Sequence, residues 1–226
     1  MIQGEEFNRR VVIVEDDNLT RTILAEHITK AGFLVKTASS ASSAETVCAD
    51  FDPDAVILDV DLGSGPTGFD LADSLLLSSP GIAILFLTHL PDSRFVGRSS
   101  QSLPAEVGYL NKNNLIDGTS LLHALEAVLL GKSGSAPRDD ISPDRPLAQL
   151  SQSQLEVLRM IALGMSNQQI AASRNTSVRA VYSMISRAMA AIGEEEDAEG
   201  AGRVLAARAY MLAAGVPVGS HESKNA

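Results

Sequence analysis

The chain has 226 residues, 45% of them hydrophobic and 20% charged, which is the composition of one or two folded domains rather than of a disordered chain. Lys and Arg total 18 against 28 Asp and Glu, a net charge of -10, and so acidic a chain repels nucleic acid and anionic membrane unless its charge is unevenly spread. The single cysteine, Cys48, excludes an internal disulfide framework and a cysteine-based zinc site, and His27, His89, His123 and His221 lie far apart without ligand spacing.

Residues 9–131 alternate between two patterns. Short apolar runs occur at 11–14, 55–58, 82–87 and 107–110, with a weaker one at 33–38. Continuous runs of that length, rich in Val, Ile and Leu, predict strands buried on both faces, as in a parallel sheet. Between them, 18–31, 41–50, 67–78, 92–101 and 115–130 are long enough for helices, and Gly32 and Gly131 stand where helices end. Five strand–helix repeats predict a doubly wound, flavodoxin-like α/β domain with a five-stranded parallel sheet over residues 1–131. Residues 132–147 carry three prolines and little apolar content, and read as a linker.

From 148 to 226 the pattern is helical only, predicting a small all-α four-helix domain with a C-terminal tail. Ser151, Ser166 and Ser177 are candidate N-caps. The first helix buries Leu155, Leu158, Ile161 and Ala162 and stops at Gly164. The second spans 167–173. In the third, Val178, Val181, Ile185, Met189 and Ile192 share one face, and a fourth covers about 202–214. The acidic run 194–199 reads as a solvated loop. No run reaches the ~18 apolar residues of a membrane span, and the start, with Glu5, Glu6, Arg9 and Arg10, is not a signal peptide. These two features predict a cytoplasmic protein with no membrane partner.

In an open parallel sheet, ligands bind beyond the carboxyl ends of the strands. Glu15, Asp16 and Asp17 follow the first strand there, Asp59 follows the third, Thr88 ends the fourth and Lys112 lies just past the fifth. Clustered carboxylates repel one another and call for a cation, and all-oxygen ligands suit Mg²⁺. Lys112 can neutralise a phosphoryl oxygen and Thr88 can donate a hydrogen bond to another. A carboxylate such as Asp59 can serve as a covalent nucleophile and form an aspartyl phosphate.

These residues carry a resemblance. VVIVEDDNLTR (11–21), VILDVDL (56–62), LFLT (85–88) and YLNK (109–112) resemble the motifs of response-regulator receiver domains. The resemblance implies that Glu15 and Asp16 are the acidic pair and that Asp59 accepts phosphate from a sensor histidine kinase. It also implies that Mg²⁺ sits on Asp16, Asp59 and the backbone carbonyl of Asp61, and that Thr88 and Tyr109 are coupled switch residues. Gly63 stands where the family usually has Pro, and His89 where it usually has a small residue.

Residues 148–215, with LSQSQLEVLRMIALGMSNQQIA at 150–171, resemble the NarL/LuxR-type helix-turn-helix domain. Such a module places its third helix in the major groove. Opposite the apolar stripe, that helix offers Arg179, Tyr182, Ser183, Ser186 and Arg187 as candidate DNA contacts, while Ser166 and Asn167 could meet phosphate. The family's usual Gly is replaced by Asn175, its Thr-Val-Lys by Ala180-Val181-Tyr182 and its His by Met184. The last helix, with Val204, Leu205, Ala209 and Leu212, resembles the family's dimer helix.

The charge divides unevenly. Residues 1–131 hold 8 basic and 18 acidic residues, the whole of the excess, whereas Arg159, Arg174, Arg179 and Arg187 face only Glu156 within 148–193. A modest positive charge predicts weak, salt-sensitive, dimer-dependent DNA contact. Gly131-Lys132-Ser133 is not the end of a phosphate-binding P-loop, because Glu126 stands at the motif's first glycine. Asp59-Val60-Asp61 resembles the aspartate pair of haloacid-dehalogenase-type phosphatases, but Gly63 breaks that motif and the chain has no room for the family's cap. The reading is therefore a phosphorylation-switched response regulator that binds DNA as a homodimer to control transcription, and not a turnover enzyme. The alternative is a receiver-controlled interaction module whose altered helix-turn-helix does not read DNA.

Overall fold

The computed structural model describes residues 8–98, 103–115, 117–131, 136–193 and 201–215. They divide into two units, one of Met1–His89 with Leu103–Asp139 and one of Leu90–Ser102 with Asp140–Ala226.

In the first unit, β1 (Arg10–Val14), β2 (Leu34–Ala38), β3 (Ala55–Leu58), β4 (Ala83–Thr88) and β5 (Gly108–Asn111) form a parallel sheet in the order β2-β1-β3-β4-β5. The in-register pairs Val12↔Val56, Val56↔Ile84 and Phe86↔Tyr109 stack apolar side chains across it. The central run Val11–Val14 is at most 1% exposed, as expected of a strand covered on both faces. The weak run became an edge strand, with Leu34 48% exposed. The helices are α1 (Asn18–Lys30), α2 (Ala41–Phe51), α3 (Gly68–Ser78) and α4 (Gly118–Leu129), N-capped by Asp17, Ser40, Thr67 and Asp117. Val11, Ile13, Ile57, Leu85 and Leu87 pack on one face with Leu24 and Ile28 of α1 and Leu121 and Leu125 of α4.

Two features differ from expectation. No α-helix forms at 92–98; the chain makes only a short 3-10 turn at Ser93–Val96, and the remainder of the expected 92–101 helix lies outside the described residues. Pro91, Asp92 and Gly97 (φ 81) bracket a stretch with only Phe95 and Val96 as apolar anchors, too little for a helical stripe. The other exposed edge, β5, is covered. The Tyr109 amide donates to Pro137 O at 2.7 Å and the Asn111 amide to Asp139 Oδ2 at 2.9 Å, so part of the Pro-containing stretch blunts an edge that would otherwise invite strand pairing. Residues 132–135 of that stretch are not among those described.

The second unit contains α5 (Gln152–Ala162), α6 (Asn167–Ser173), α7 (Val178–Ala191) and α8 (Ala201–Ala213). Ser151 with Gln154 and Ser166 with Gln169 form capping boxes, and Ser177 accepts from the Ala180 amide. Leu155, Leu158, Ile161, Ile170, Val181, Ile185 and Met189 make the core. Val178, expected in the α7 stripe, is the first residue of the helix and is 36% exposed, the buried face being made by Val181, Ile185, Ala188 and Met189. Asn175, where the family has Gly, takes φ 50 in the turn between α6 and α7, a left-handed conformation that Asn tolerates better than most side chains. The 194–199 run lies outside the described residues.

Cys48 sits in α2 at 7% exposure, and burial pushes its thiol pKa up to about 11. Alkylation by iodoacetamide at pH 8 is expected to run about 100-fold slower in the native protein than in the denatured chain, since only the thiolate reacts. Equal rates would place this thiol at the surface.

Candidate functional site

The site is built where β1, β3, β4 and β5 end. Asp17 caps α1, accepting from the Thr20 amide at 2.8 Å, and this turns the chain so that Glu15 and Asp16 stand at the mouth. The Asp59 amide donates to Val14 O at 2.9 Å, holding the end of β3 level with β1. Lys112 Nζ lies 2.6 Å from both Glu15 Oε2 and Asp59 Oδ2. Glu15 is 2% and Asp59 6% exposed, and Asp16 faces solvent. One carboxylate oxygen each of Glu15, Asp16 and Asp59 lies within 4.8 Å of the others.

The electrostatics follow from this packing. Burial pushes the Glu15 carboxyl above its ordinary range and the neighbouring Asp59 adds to that, while Lys112 pulls the other way. Burial by itself would depress the Lys112 ammonium, but the charges and hydrogen bonds of Asp59 and Glu15 outweigh it and hold it above its usual value. The pocket is thus a buried cluster with more negative groups than positive ones, and a divalent cation bound by oxygen ligands would complete it.

Thr88 is 1% exposed at the end of β4. Tyr109 is wholly buried, its ring 5.9 Å from Phe86 and 6.5 Å from Phe69. The Asp61 side chain accepts from the Gly63 amide at 3.3 Å, and its carboxylate does not join the three-carboxylate cluster. Gly63 has φ 76, a conformation closed to the proline usual in the family, whose ring locks φ near −65°. The His89 ring meets Asn113 Oδ1 at 3.2 Å, and Asn111 Nδ2 donates to His89 O at 3.1 Å.

Two contributors were not singled out from the sequence. Gly68 starts α3 directly beneath Asp59, where an added Cβ would lie 2.0 Å from the Asp59 carbonyl oxygen; a lone glycine at a helix start gives no warning of that. Arg21 donates to Glu15 O at 2.6 Å and to Asp16 O at 3.1 Å, tying the acidic turn to α1. A signal existed here, since a cation in the first turn of a helix opposes the helix dipole and needs a local reason.

Residues 11–124 match the response regulator receiver domain family. The chain is a response regulator. The match spans half of the response regulator's length and takes in all five strands of the sheet apart from Arg10, the first residue of β1. Residues 144–192 match Sigma-70, region 4, so the regulator pairs its receiver with a helix-turn-helix output domain of the NarL/LuxR type. It is 26% identical over 189 residues to the oxygen regulatory protein NreC of Staphylococcus haemolyticus, covering 76% of this chain and 85% of the relative. The fold is similar to a two-component response regulator RcsB–DNA complex, with TM-score 0.56 and 22% identity over 91% of this chain and 98% of that one. RcsB from Salmonella enterica serovar Typhimurium, bound to promoter rprA with a phosphomimetic, gives TM-score 0.55 and 21% identity over 90% and 98%. Members of this family regulate transcription and are not turnover enzymes.

In the output unit, all five residues expected to contact DNA, Arg179, Tyr182, Ser183, Ser186 and Arg187, lie exposed on α7. Arg187 Nε donates to Ser183 O at 3.2 Å. Arg174 pairs with Glu156, and Asn167 Oδ1 accepts from Arg203 at 2.6 Å, which engages two groups near the start of the helix-turn-helix. Ser166 is committed to its cap. With Arg174 paired and Arg159 on α5, the cations that α7 itself presents are Arg179 and Arg187. Among the described residues no helix is long and apolar enough to cross a membrane.

Proposed function

We propose that the response regulator accepts a phosphoryl group on Asp59 from a sensor histidine kinase in the cytoplasm and then binds DNA as a homodimer to control transcription. The observation that carries this reading is the meeting of Glu15, Asp16, Asp59 and Lys112 at one sheet edge. An Asp59 carboxylate oxygen attacks phosphorus, the new O–P bond forms as the P–N bond of a phosphohistidine breaks, and the imidazole leaves with the electron pair. Lys112 balances charge on the phosphoryl oxygens and Thr88 donates to one of them. The three-carboxylate cluster fits Mg²⁺ in donor type; Asp16, Asp59 and the Asp61 carbonyl would hold it, with Glu15 beside them, and it would supply charge neutralisation at the transferring group. Thr88 and Tyr109 respond to a group that carries about −1.5 to −2 charges.

For the output, RcsB dimers have been seen on DNA, and Val204 and Leu212 on α8 are 69% and 56% exposed, two apolar side chains on one face either side of the exposed Arg208 that a second copy can meet. The decisive measurement is a salt series of genomic-fragment binding by the phosphorylated protein. Arg179→Ala with Arg187→Ala is expected to weaken binding and to reduce the slope of log affinity against log salt by about 2, one for each lost phosphate contact.

A second reading has its own support: α7 exposes Tyr182 at 61% and Val178 at 36% beside its two guanidiniums, which suits a protein partner. Binding no stronger than to arbitrary DNA, unchanged by the double substitution, would decide for that reading.

A further inference from the structure

We propose that Arg203, on α8 and outside the helix-turn-helix, is a further DNA-contacting cation of the output unit and takes a backbone phosphate together with Asn167, an inference that rests on the DNA reading proposed above. It adds a contact that the exposed face of α7 does not contain.

Arg203 stands in the first turn of α8 (Ala201–Ala213), where a cation opposes the helix dipole and is held only for a local reason. The reason lies in the chain that enters α6. One terminal nitrogen of Arg203 donates to Asn167 Oδ1 at 2.6 Å and the other to the carbonyl of Met165. The fork thus reaches the residues on both sides of Ser166, the N-cap of α6. Both acceptors are neutral. Among the described residues no carboxylate pairs with Arg203, in contrast to Arg174, whose charge is matched by Glu156. Arg203 is therefore fixed in place without being neutralised, and it is only half-buried, so its charge stays open to a ligand.

The chemistry of the cluster selects that ligand. A guanidinium carries N–H donors and no acceptor, and the bonds to Asn167 and Met165 use only part of them. Asn167 spends its carbonyl oxygen on Arg203, so the side-chain group it still offers is its amide nitrogen, also a donor. Ser166 is closed off by its cap, its Oγ accepting from the Gln169 amide and its own amide donating to Gln169 Oε1. What remains is a set of donors with one full positive charge, and it suits an anion with several acceptor oxygens. The fold brings one such group there. In a helix-turn-helix the first helix crosses the DNA backbone while the second lies in the major groove, and α6 is that first helix. A phosphodiester held by Arg203 and Asn167 fixes the register of the unit on the duplex without reading a base.

The test is a salt series of binding to a genomic fragment that the wild type retains, run on the full chain after treatment with acetyl phosphate and Mg²⁺. Arg203→Met is expected to weaken binding about tenfold at low salt and to reduce the slope of log affinity against log salt by about 0.9, the value for one lost phosphate. Arg203→Lys keeps the charge and is expected to keep the slope. Asn167→Asp turns the neutral contact into an ion pair that cancels the guanidinium. It is expected to fold with an unchanged or higher melting temperature and yet to lose the same slope. A lower affinity with an unchanged slope in Arg203→Met would make Arg203 a prop for α6 and overturn the phosphate contact, as would undiminished binding by Asn167→Asp. Inorganic phosphate at constant ionic strength is expected to leave the melting temperature of the wild type unmoved. A rise that Arg203→Met abolishes would assign the cluster to the free anion and overturn the DNA contact. A wild type that retains no fragment overturns the DNA reading and this contact with it.

Discussion

Asp59→Asn is expected to abolish phosphoryl incorporation from acetyl phosphate, a loss of at least about three orders of magnitude. The amide is nearly the same shape but lacks the nucleophilic charge. The substitution also leaves the scaffold standing. Lys112 keeps its 2.6 Å pair with Glu15, and the Asp59 amide still donates to Val14 O, so the melting temperature should change little. Replacing Asp59 removes one of two carboxylates that share a single ammonium in a buried pocket, which relieves repulsion as much as it costs attraction. Mass analysis of the intact protein checks the first expectation and thermal unfolding the second. Undiminished labelling in the variant would place the acceptor on another residue.

Gly68→Ala is expected to be the most damaging single methyl addition in the receiver. Its Cβ would stand 2.0 Å from Asp59 O and 2.9 Å from the Val60 Cα, both backbone atoms that cannot swing aside. Either α3 moves away from the sheet or β3 is pushed out of register. A cost of about 3 kcal/mol is the size of a severe overpacking error, lowering the Tm by on the order of 10 °C. Phosphoryl acceptance should fall as well, because the displaced atoms belong to the nucleophile's own residue. Gly63→Ala is the control. It must hold φ 76, yet meets only the Asp16 carboxylate at 3.7 Å, so its cost should stay near 1 kcal/mol, the conformational penalty by itself. Equal stability of Gly68→Ala and the wild type would mean that α3 and the Asp59 loop do not touch.

Much of the receiver was legible because its signals are local. An apolar run of four to six residues reports burial on both faces of a strand wherever that strand goes, and the five runs became five strands. The carboxylates, Thr88 and Lys112 each follow a strand, and parallel topology then brings all strand ends to one edge. Asn175 shows the limit of residue-by-residue comparison. It departs from the family's Gly, but φ 50 is a conformation that Asn can hold, so the turn survives. The residues offered as DNA contacts lie on the exposed face of α7, since helical periodicity assigns a face without knowledge of the partner. What was not legible is that Arg174 pairs with Glu156 and Arg203 with Asn167, contacts that join residues far apart in the chain.

The sequence by itself determined the element order, the sheet class and the identity of the residues at the strand ends, for these depend on spacing along the chain. Only the tertiary structure decided where Leu90–Gly97 belongs. One phenylalanine and an arginine between a proline and a glycine carry no period. What captures them is Tyr210, 115 positions away, together with the buried carboxylate and carbonyls that Arg94 reaches. The same holds for Gly68 beneath Asp59 and for Asp139 on the β5 edge. Periodicity reports whether a residue is buried, but the partner that buries it is set by long-range packing, and a short segment with few apolar anchors joins whichever core offers the better fit.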